Sequence, residues 1–557
     1  MPRLHTLPEA LAAASHTDQG FVFIAESGEV RRSFAELRQQ ALGVAHALTA
    51  HGLRSGDLVA LVIADAEPFL TALFGVSLAG LIPASLYPPA TMSDLPRYVS
   101  QTAGILRTAR ARAVVTTTAL LPSFDLLRAE CPDLRLVISR DALDAAPAES
   151  AARVTLDDLA FVQFTSGSTS APKGVALTHR SLASNIEAIN GPAGIDVRQD
   201  DSGMSWLPLY HDMGLVGMTL GALYSGRSTV LLPPHAFVKR PIAWLRAISQ
   251  YRSTVSFAPN FAYDLCVRRV KERDLEGLDL SCWRIAGCGA EPIHAPTLSA
   301  FAEKFAPVGF DPRSFLPSYG LAEHVLAATF PPRGRAPRVE SIDAADLTER
   351  RLARRVPDTA AAPRVTVVSC GHPLPGHRIR IVGEDGHELP EREVGEITLA
   401  GPSVMLGYYK EAALTAETLS GEWLRTGDLG YLANGELFVC GRAKDVIIVN
   451  GRKYHPQDLE WSVDDVAGVR RGRVVAFGLP RAGGPDRVAI VVEPSGTVSA
   501  DVLVESIRRR IGDLCGLYVD EVVLVPSGAI GRTTSGKVQR AATKARYERG
   551  DLATTAP

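Results

Sequence analysis

Apolar and polar positions alternate in blocks along the first half of the chain. Ser33-Phe-Ala-Glu36 is a capping box, a hydroxyl and a carboxylate three residues apart that satisfy each other's backbone donors. Leu37, Ala41, Val44 and Leu48 follow at helical spacing and predict a helix stopped near Gly52. Leu58 to Ile63 is a continuous apolar run, the pattern of a strand buried on both faces. A helix over 68–79, a strand over 81–86, a helix over 95–109, a strand over 113–117, a helix over 119–130 and a strand over 134–139 continue the alternation. Strands are expected again at 159–164, 228–232 and 255–258, and from Trp283 to an end at Gly287 and Gly289. Strands alternating with helices predict parallel sheets covered by helices. Residues 69–93 carry no charge, but Gly75, Gly80, Pro83, Pro88 and Pro89 divide them into a buried helix and a buried strand, so no transmembrane segment is expected.

Past Arg378 the period changes to two. Ile379 and Ile381, the turn Glu384-Asp-Gly386 and the run Gly395 to Ala400 predict a small β-rich subdomain. Beyond Lys444, strands at 473–477 and 487–492 and a helix around 500–514 predict a small α+β unit. Residues 331–368 differ from both sides, with many Arg, Ala and Pro and the cluster Arg350-Arg-Leu-Ala-Arg-Arg355. They are expected to be an inserted surface segment, partly helical around 343–356, with its charges in solvent; a docking site for an acidic partner is the alternative. The fold class is therefore α/β. A large N-terminal domain over 1–442 holds two helix-covered sheets and the β-rich subdomain, a hinge over 443–446 follows, and a small C-terminal domain spans 447–557.

A chain of 557 residues is too long for one core. Its apolar share of 46% and charged share of 22% fit a soluble protein, and a net charge of −2 gives no field for nucleic acid or an anionic membrane. The 7 cysteines show no CxxC spacing and read as reduced thiols, which with the absence of a basic-plus-apolar leader predicts a cytoplasmic protein.

Candidate chemistry lies in separated polar stretches. Thr165-Ser166-Gly167-Ser168-Thr169-Ser170-Ala171-Pro172-Lys173-Gly174 falls between the strand at 159–164 and an expected helix over 177–189. Hydroxyls, freed N–H groups and a lysine on such a turn make a phosphate cradle, although the lysine precedes the last glycine and the loop is not a Walker A. His211, Asp212, Met213 and Gly214 sit among apolar residues, either as a pocket wall with a polar gate or as a hydrogen-bonded core pair. Gly289, Ala290 and Glu291 end an apolar strand, where open α/β sheets receive nucleotides. Tyr319 and Gly320 stand near Glu323, a ring for base stacking beside a carboxylate suited to Mg²⁺ at a triphosphate. Asp428 is suited to accept hydrogen bonds from ribose hydroxyls, and Lys537, after a glycine-containing polar loop, is a mobile cation.

These segments, in this order, resemble the adenylate-forming superfamily of acyl-CoA synthetases, peptide-synthetase adenylation domains and luciferase, over residues from about 20 to 545. The resemblance implies that 165–174 holds the phosphates of ATP, with Ser170 where many members have Gly. It implies that Gly289, Ala290, Glu291 and Tyr319 border the adenine and that Glu323 binds Mg²⁺. Ala322 stands where the common pattern has Thr. It implies ribose contacts for Asp428 with Arg442 nearby, a hinge at Lys444 where many relatives have Asp, and a catalytic role for Lys537. Trp206-Leu-Pro-Leu-Tyr-His-Asp-Met-Gly214, Tyr319-Gly-Leu-Ala-Glu323, Val368-Ser-Cys-Gly371 and Gly441-Arg-Ala-Lys-Asp445 with Tyr454-His-Pro-Gln-Asp-Leu-Glu460 are similar to the fatty acyl-AMP ligase branch. That branch implies a fatty acid activated with ATP and passed to the phosphopantetheine thiol of a separate acyl carrier protein, in polyketide or lipopeptide synthesis, and an insertion, for which 331–368 is the candidate, that restrains the small domain. A fatty acyl-CoA ligase and a non-catalytic nucleotide sensor are the alternatives, and an amino-acid substrate anchored by Asp212 is the less favoured acid.

Overall fold

The structure, a computed structural model, describes all residues except 1–3, 26–27, 90–94, 148–150, 166–171, 361, 482–483, 533–537 and 554–557. Two seven-stranded sheets dominate it. One runs, in spatial order, Phe315–Pro317, Ile285–Cys288, Val255–Ala258, Gly203–Ser205, Thr229–Leu231, Gly20–Ala25 and Gly28–Ser33, parallel up to the final antiparallel pair. The other runs Gly407–Tyr408, Lys173–Thr178, Leu159–Thr165, Ile82–Ser85, Leu58–Leu61, Ala113–Thr116 and Leu136–Ser139. Its last five strands are parallel, and its first two join antiparallel.

The helices Phe34–Ala50, Ala66–Leu78 and His179–Asn190 fill the space between these sheets, and their buried side chains share one core with strand residues of both, among them Phe21, Val59, Phe161 and Val175. Sequence dictates this: Ser33 and Glu36 close the capping box that starts the first of these helices. Ala66–Leu78 is apolar all round, as a helix enclosed between two layers must be. A second core gathers Trp206, Trp244, Trp283 and Tyr263 behind the first sheet. Among the described residues, no helix is long and apolar enough to cross a membrane.

An antiparallel five-stranded sheet built on Arg378–Val382, Gly395–Ala400, Trp423–Ala433 and Glu436–Arg442 follows, as the period-two pattern predicts. After the short turn Ala443–Asp445, the strands Val469–Arg481, Gly484–Pro494 and Glu521–Leu524 form a separate sheet. Its two faces carry their own cores, one under the helices Pro456–Val463 and Ala500–Cys515, the other under Arg540–Glu548.

Three sequence expectations are corrected. Lys173 is not on a strand-to-helix turn: Lys173–Thr178 is a strand paired antiparallel with Leu159–Thr165, and the helix begins only at His179, where Thr178 caps it. The stretch Gly174-Val-Ala-Leu177 is buried on both faces, so no alternation announced it as a strand. The expected helix over 119–130 is a short helix, Leu121–Asp125, continued as a 3₁₀ turn. Residues 331–368 are not only a charged surface segment. Val339–Asp343 and Arg364–Val368 pair as a two-stranded sheet, and the chain between them is helical over 344–350, within the expected 343–356, with π-type bonding at Asp346–Arg350. Ile342, Leu347, Ala353 and Val367 pack with Tyr431 and Phe438 of the five-stranded sheet. The arginines stay at the surface, as expected: Arg350, Arg354 and Arg355 are exposed, Arg354 pairing with Asp343 and Asp346 and half-buried Arg351 with Glu384.

Candidate active site

Glu323 lies on a tight turn that leaves the parallel sheet at Pro317. Tyr319–Gly320 pairs with Ala327–Phe330, and the 3₁₀ turn Ala322–His324 fills the bend between them. The bend closes at Val325, with φ of 65° and ψ of −61°, where the Leu326 N–H donates to the His324 carbonyl at 2.8 Å. A β-branched residue in this γ-turn is strained, and such strain persists only where the surroundings enforce it. Here they do. His324 is fully buried against the ring of His377, at 4.9 Å between centroids, and burial pulls its imidazole down to about 3. His377 Nε2 is 2.6 Å from Ser403 Oγ, and Asn185 donates to Ser403 Oγ at 3.1 Å and to the Ala327 carbonyl at 2.8 Å.

Asp428 and Arg442 face each other across a hairpin, in register on strands Trp423–Ala433 and Glu436–Arg442. Arg442 Nε forms an ion pair with Asp428 Oδ1 at 3.0 Å, and the Tyr319 hydroxyl donates to Asp428 Oδ2 at 2.9 Å. Burial pushes the Asp428 carboxyl above the usual range, against the pull of Arg442, while Asp428 raises the Arg442 guanidinium. Lys444, two residues on, is pulled below the usual lysine range, first by desolvation, then by Arg442, with Lys173 acting in the same direction. Residues from four distant stretches of chain thus share one electrostatic environment.

Thr165 and Lys173 pair across the mouth of the hairpin that carries the expected phosphate loop. Lys173 Nζ stands 5.1 Å above the Tyr408 ring, and the Tyr408 hydroxyl donates to Glu323 Oε1 at 2.8 Å. Ser166, Gly167, Ser168 and Thr169 lie outside the described residues, as does Lys537.

Gly289, Ala290 and Glu291 follow the strand Ile285–Cys288 at its carboxyl end. Ala290 adopts φ of 67°, an uncommon left-handed conformation for a residue with a side chain. Glu291 Oε1 accepts from the Phe261 N–H at 2.6 Å, which commits that carboxylate to the start of the helix Asn260–Arg269. His211 and Asp212 follow strand Gly203–Ser205, and Gln163 of the other sheet donates to the Tyr210 carbonyl at 2.7 Å, which places them where the two sheets meet. His211 Nδ1 is 3.5 Å from Asp212 Oδ1, and Asp212 Oδ1 accepts from the Met213 N–H at 2.8 Å. Met213 and Gly214 open the π-helical stretch Met213–Leu220. A Cβ on Gly214 would lie 2.3 Å from the Pro208 carbonyl, so only glycine lets the chain close this corner.

Among the described residues no group of three or more metal-binding side chains is gathered. A single carboxylate beside a lysine fits a cation that takes its remaining ligands from phosphate oxygens, which is how Mg²⁺ is held at a triphosphate. Two features escaped sequence reasoning. Tyr408, in Leu406-Gly-Tyr-Tyr409, carries no motif of charge or spacing; its one signal is a glycine-flanked aromatic after a strand. The His324–His377 contact joins two isolated histidines whose proximity only the fold supplies.

The AMP-binding enzyme family matches residues 10–409. A Caulobacter vibrioides protein, named provisionally as an acyl-CoA synthetase, is 38% identical over 98% of this chain and 96% of its own. The medium-chain-fatty-acid–[acyl-carrier-protein] ligase JamA of Moorena producens is 35% identical over 99% of this chain and 96% of its own. A solved structure from work on fatty acyl-adenylate ligases of E. coli and L. pneumophila superposes with a TM-score of 0.92 at 37% identity, covering 98% of both chains. The chain, with a match across most of its length and a site made of buried carboxylate, guanidinium and lysine at the junction of two sheets, belongs to the AMP-binding enzyme family, among relatives named as fatty-acid–AMP and acyl-carrier-protein ligases.

Proposed function

We propose that this chain activates a medium- or long-chain fatty acid with ATP and passes the acyl group to the phosphopantetheine thiol of a separate acyl carrier protein in the cytoplasm, as the loading step of a polyketide or peptide synthase. The observation that carries the reading is the Tyr319–Asp428–Arg442 cluster, with a hydrogen bond of 2.9 Å and an ion pair of 3.0 Å, beside the Lys173–Tyr408–Glu323 contact. The first group suits a ribose and the second a triphosphate.

In the first step a carboxylate oxygen forms a bond to the α-phosphorus and the bond from that phosphorus to the bridging oxygen breaks, giving acyl-adenylate and pyrophosphate. Two anions must meet, so the barrier is largely repulsion, and positioned cations lower it. Asp428 would hold the ribose, with Arg442 fixing its carboxylate. Lys173 would neutralise the outgoing phosphates, and Lys537 would sit between the carboxylate and the α-phosphate. Glu323 would hold Mg²⁺, which, when bound, adds positive charge at the departing pyrophosphate. In the second step the carrier thiolate attacks the acyl carbon and AMP leaves. The turn 443–446 with Lys444 would be the hinge on which residues 447–557 swing between the steps.

The carrier is preferred to free CoA because the 331–368 segment touches the small domain, Arg452 being 2.7 Å from Glu349, with a neighbouring contact of 3.1 Å from Lys453 to Glu384 of the β-rich subdomain. The Caulobacter relative favours the second reading, a CoA ligase on the same site. A split reaction decides. ATP, Mg²⁺ and radiolabelled dodecanoic acid should yield acyl-AMP that persists with CoA and transfers to a holo acyl carrier protein. Rapid acyl-CoA formation would establish the CoA reading, and no adenylate at any chain length would end both.

A further inference from the structure

We infer that Tyr408 is the positioning residue for the triphosphate pole of the site, its hydroxyl orienting Glu323 and its ring face orienting Lys173. The inference rests on the reading of Glu323 as the magnesium carboxylate and Lys173 as the phosphate cation. Both contacts come from one side chain: the hydroxyl donates to Glu323 Oε1 at 2.8 Å, and Lys173 Nζ lies 5.1 Å from the ring centroid. Without Tyr408, a carboxylate and a lysine held on different elements would have no common reference.

The chain invests structure in placing this ring. Residues 403–409 form a brace across the site. Ser403 joins the hydrogen bonds that lock the His324 bend, and the Met405 N–H donates to the Glu323 carbonyl at 2.9 Å. The Leu406 N–H donates to the Ala176 carbonyl at 3.0 Å, and the Tyr409 N–H to the Gly174 carbonyl at 2.7 Å, so the brace is also the edge strand beside Lys173. Gly407, at φ of 151°, leaves room for Thr415, whose Cγ2 would stand 2.7 Å from a Cβ there. Thr415 Oγ1 in turn accepts the Tyr408 N–H at 2.9 Å. Tyr408 is 7% exposed, and its hydroxyl faces a carboxylate oxygen, which can only accept. The hydroxyl therefore acts as a donor. A donor on one carboxylate oxygen fixes the plane of the group and directs the other lone pairs at the cation, the role that outer partners play around metal ligands. The ring face supplies a weak attraction that restricts a flexible lysine without neutralising it.

Two variants separate the contacts. Tyr408→Phe keeps the ring and removes the donor; Tyr408→Leu removes both. The probe is Mn²⁺ titrated into protein with a non-hydrolysable ATP analogue and followed by electron paramagnetic resonance, beside the Mg²⁺ and ATP dependence of pyrophosphate release. Tyr408→Phe is expected to weaken Mn²⁺ binding about 10-fold, the lower end for lost outer partners of a metal ligand. It should raise the half-saturating Mg²⁺ by a similar factor, with kcat recovered at high Mg²⁺ and the fatty-acid KM unchanged. Tyr408→Leu should add a rise of several-fold in the ATP KM. Wild-type Mn²⁺ affinity in Tyr408→Phe overturns the inference while leaving the proposed reaction standing. Loss of fatty-acid affinity in step with Mn²⁺ overturns it too, since the ring would then be general packing. Failure of the wild-type protein to bind Mn²⁺ with the analogue removes the reading of Glu323, and the inference with it.

Discussion

Asp428 concentrates the chemistry at the scale of a single residue. It is buried, faces a guanidinium and a phenol, and stands where a ribose would be held. Asp428→Asn keeps the shape and removes the charge. Hydrogen bonds to charged groups contribute about 1.5–3 kcal/mol, so the ATP KM is expected to rise about 10- to 100-fold, with little change in the fatty-acid KM. Burial raises the carboxyl's pKa, so the charged form is lost as pH falls through a value above the ordinary carboxylate range. The wild-type kcat/KM for ATP should therefore fall on mild acidification while the Asn variant stays flat over the same interval; parallel profiles would assign the acid limb elsewhere. The candidate residues were legible because carboxylates, lysines and glycines in polar stretches are conspicuous against apolar strands. Their pairing was not. Asp428 meets Arg442 through hairpin register, and Tyr319 meets Asp428 only because two sheets converge. Tyr408 was invisible for the complementary reason: nothing in Gly-Tyr-Tyr separates an aromatic that orients two charges from one that fills a core.

Among elements, the helix Pro456–Val463 carries a buried liability. Its first turn holds Asp458, which burial and the like charge of Glu460 push up to about 7. A carboxyl raised in the folded state binds its proton more tightly there than in the unfolded chain. Its contribution to stability is therefore full below the unfolded value near 4 and is lost as pH rises toward 7. Asp458→Asn removes the dependence. Its stability advantage over wild type should grow by about 2–3 kcal/mol between pH 5 and 8 and level off above that, one pH unit of displacement being worth about 1.4 kcal/mol. Urea unfolding at pH 5, 6, 7 and 8 reads this directly, and a constant difference across the series would place the proton elsewhere. Elements were read best where capping and period agreed, as at Ser33–Glu36. They were misread where composition masked pattern. The 331–368 segment looks like solvated charge because arginines dominate it, yet Ile342, Leu347, Ala353 and Val367, spaced irregularly, give it a core. The Lys173–Thr178 strand was divided between the polar loop and the following helix because a strand buried on both faces lacks alternation.

For the whole molecule, the alternation of strands and helices announced two helix-covered sheets, but not their strand order, which places 407–408 beside 173–178 and so brings Tyr408 to Lys173. Nor did it announce how the small C-terminal sheet rests on the rest. Two sets of contacts do this. On one side Trp461 lies 4.7 Å from the His294 ring, with Arg471 3.9 Å from Asp264. On the other, Arg452 and Lys453 reach Glu349 and Glu384. Within the small body, Arg540 ties Asp445 of the 443–445 turn to Glu460, at 3.0 and 2.9 Å, so movement at the turn is passed to the segment that follows Lys537. The Glu349 and Glu384 pairs are exposed, and surface pairs contribute about 0.2–1 kcal/mol each. Together they would bias the proposed swing of the small domain by no more than about 2 kcal/mol, a several-fold to about 30-fold change in population. Glu349→Ala combined with Glu384→Ala should therefore raise acyl-CoA formation several-fold while leaving acyl-AMP formation and the unfolding midpoint near wild type. Because exposed pairs are screened at high ionic strength, 0.5 M salt should raise CoA use by the wild-type protein and have much less effect on the double variant. CoA use unchanged by the double substitution would show that these contacts do not restrain the small domain, and discrimination between CoA and a carrier protein would then have to arise in the thiol's own path to the acyl group.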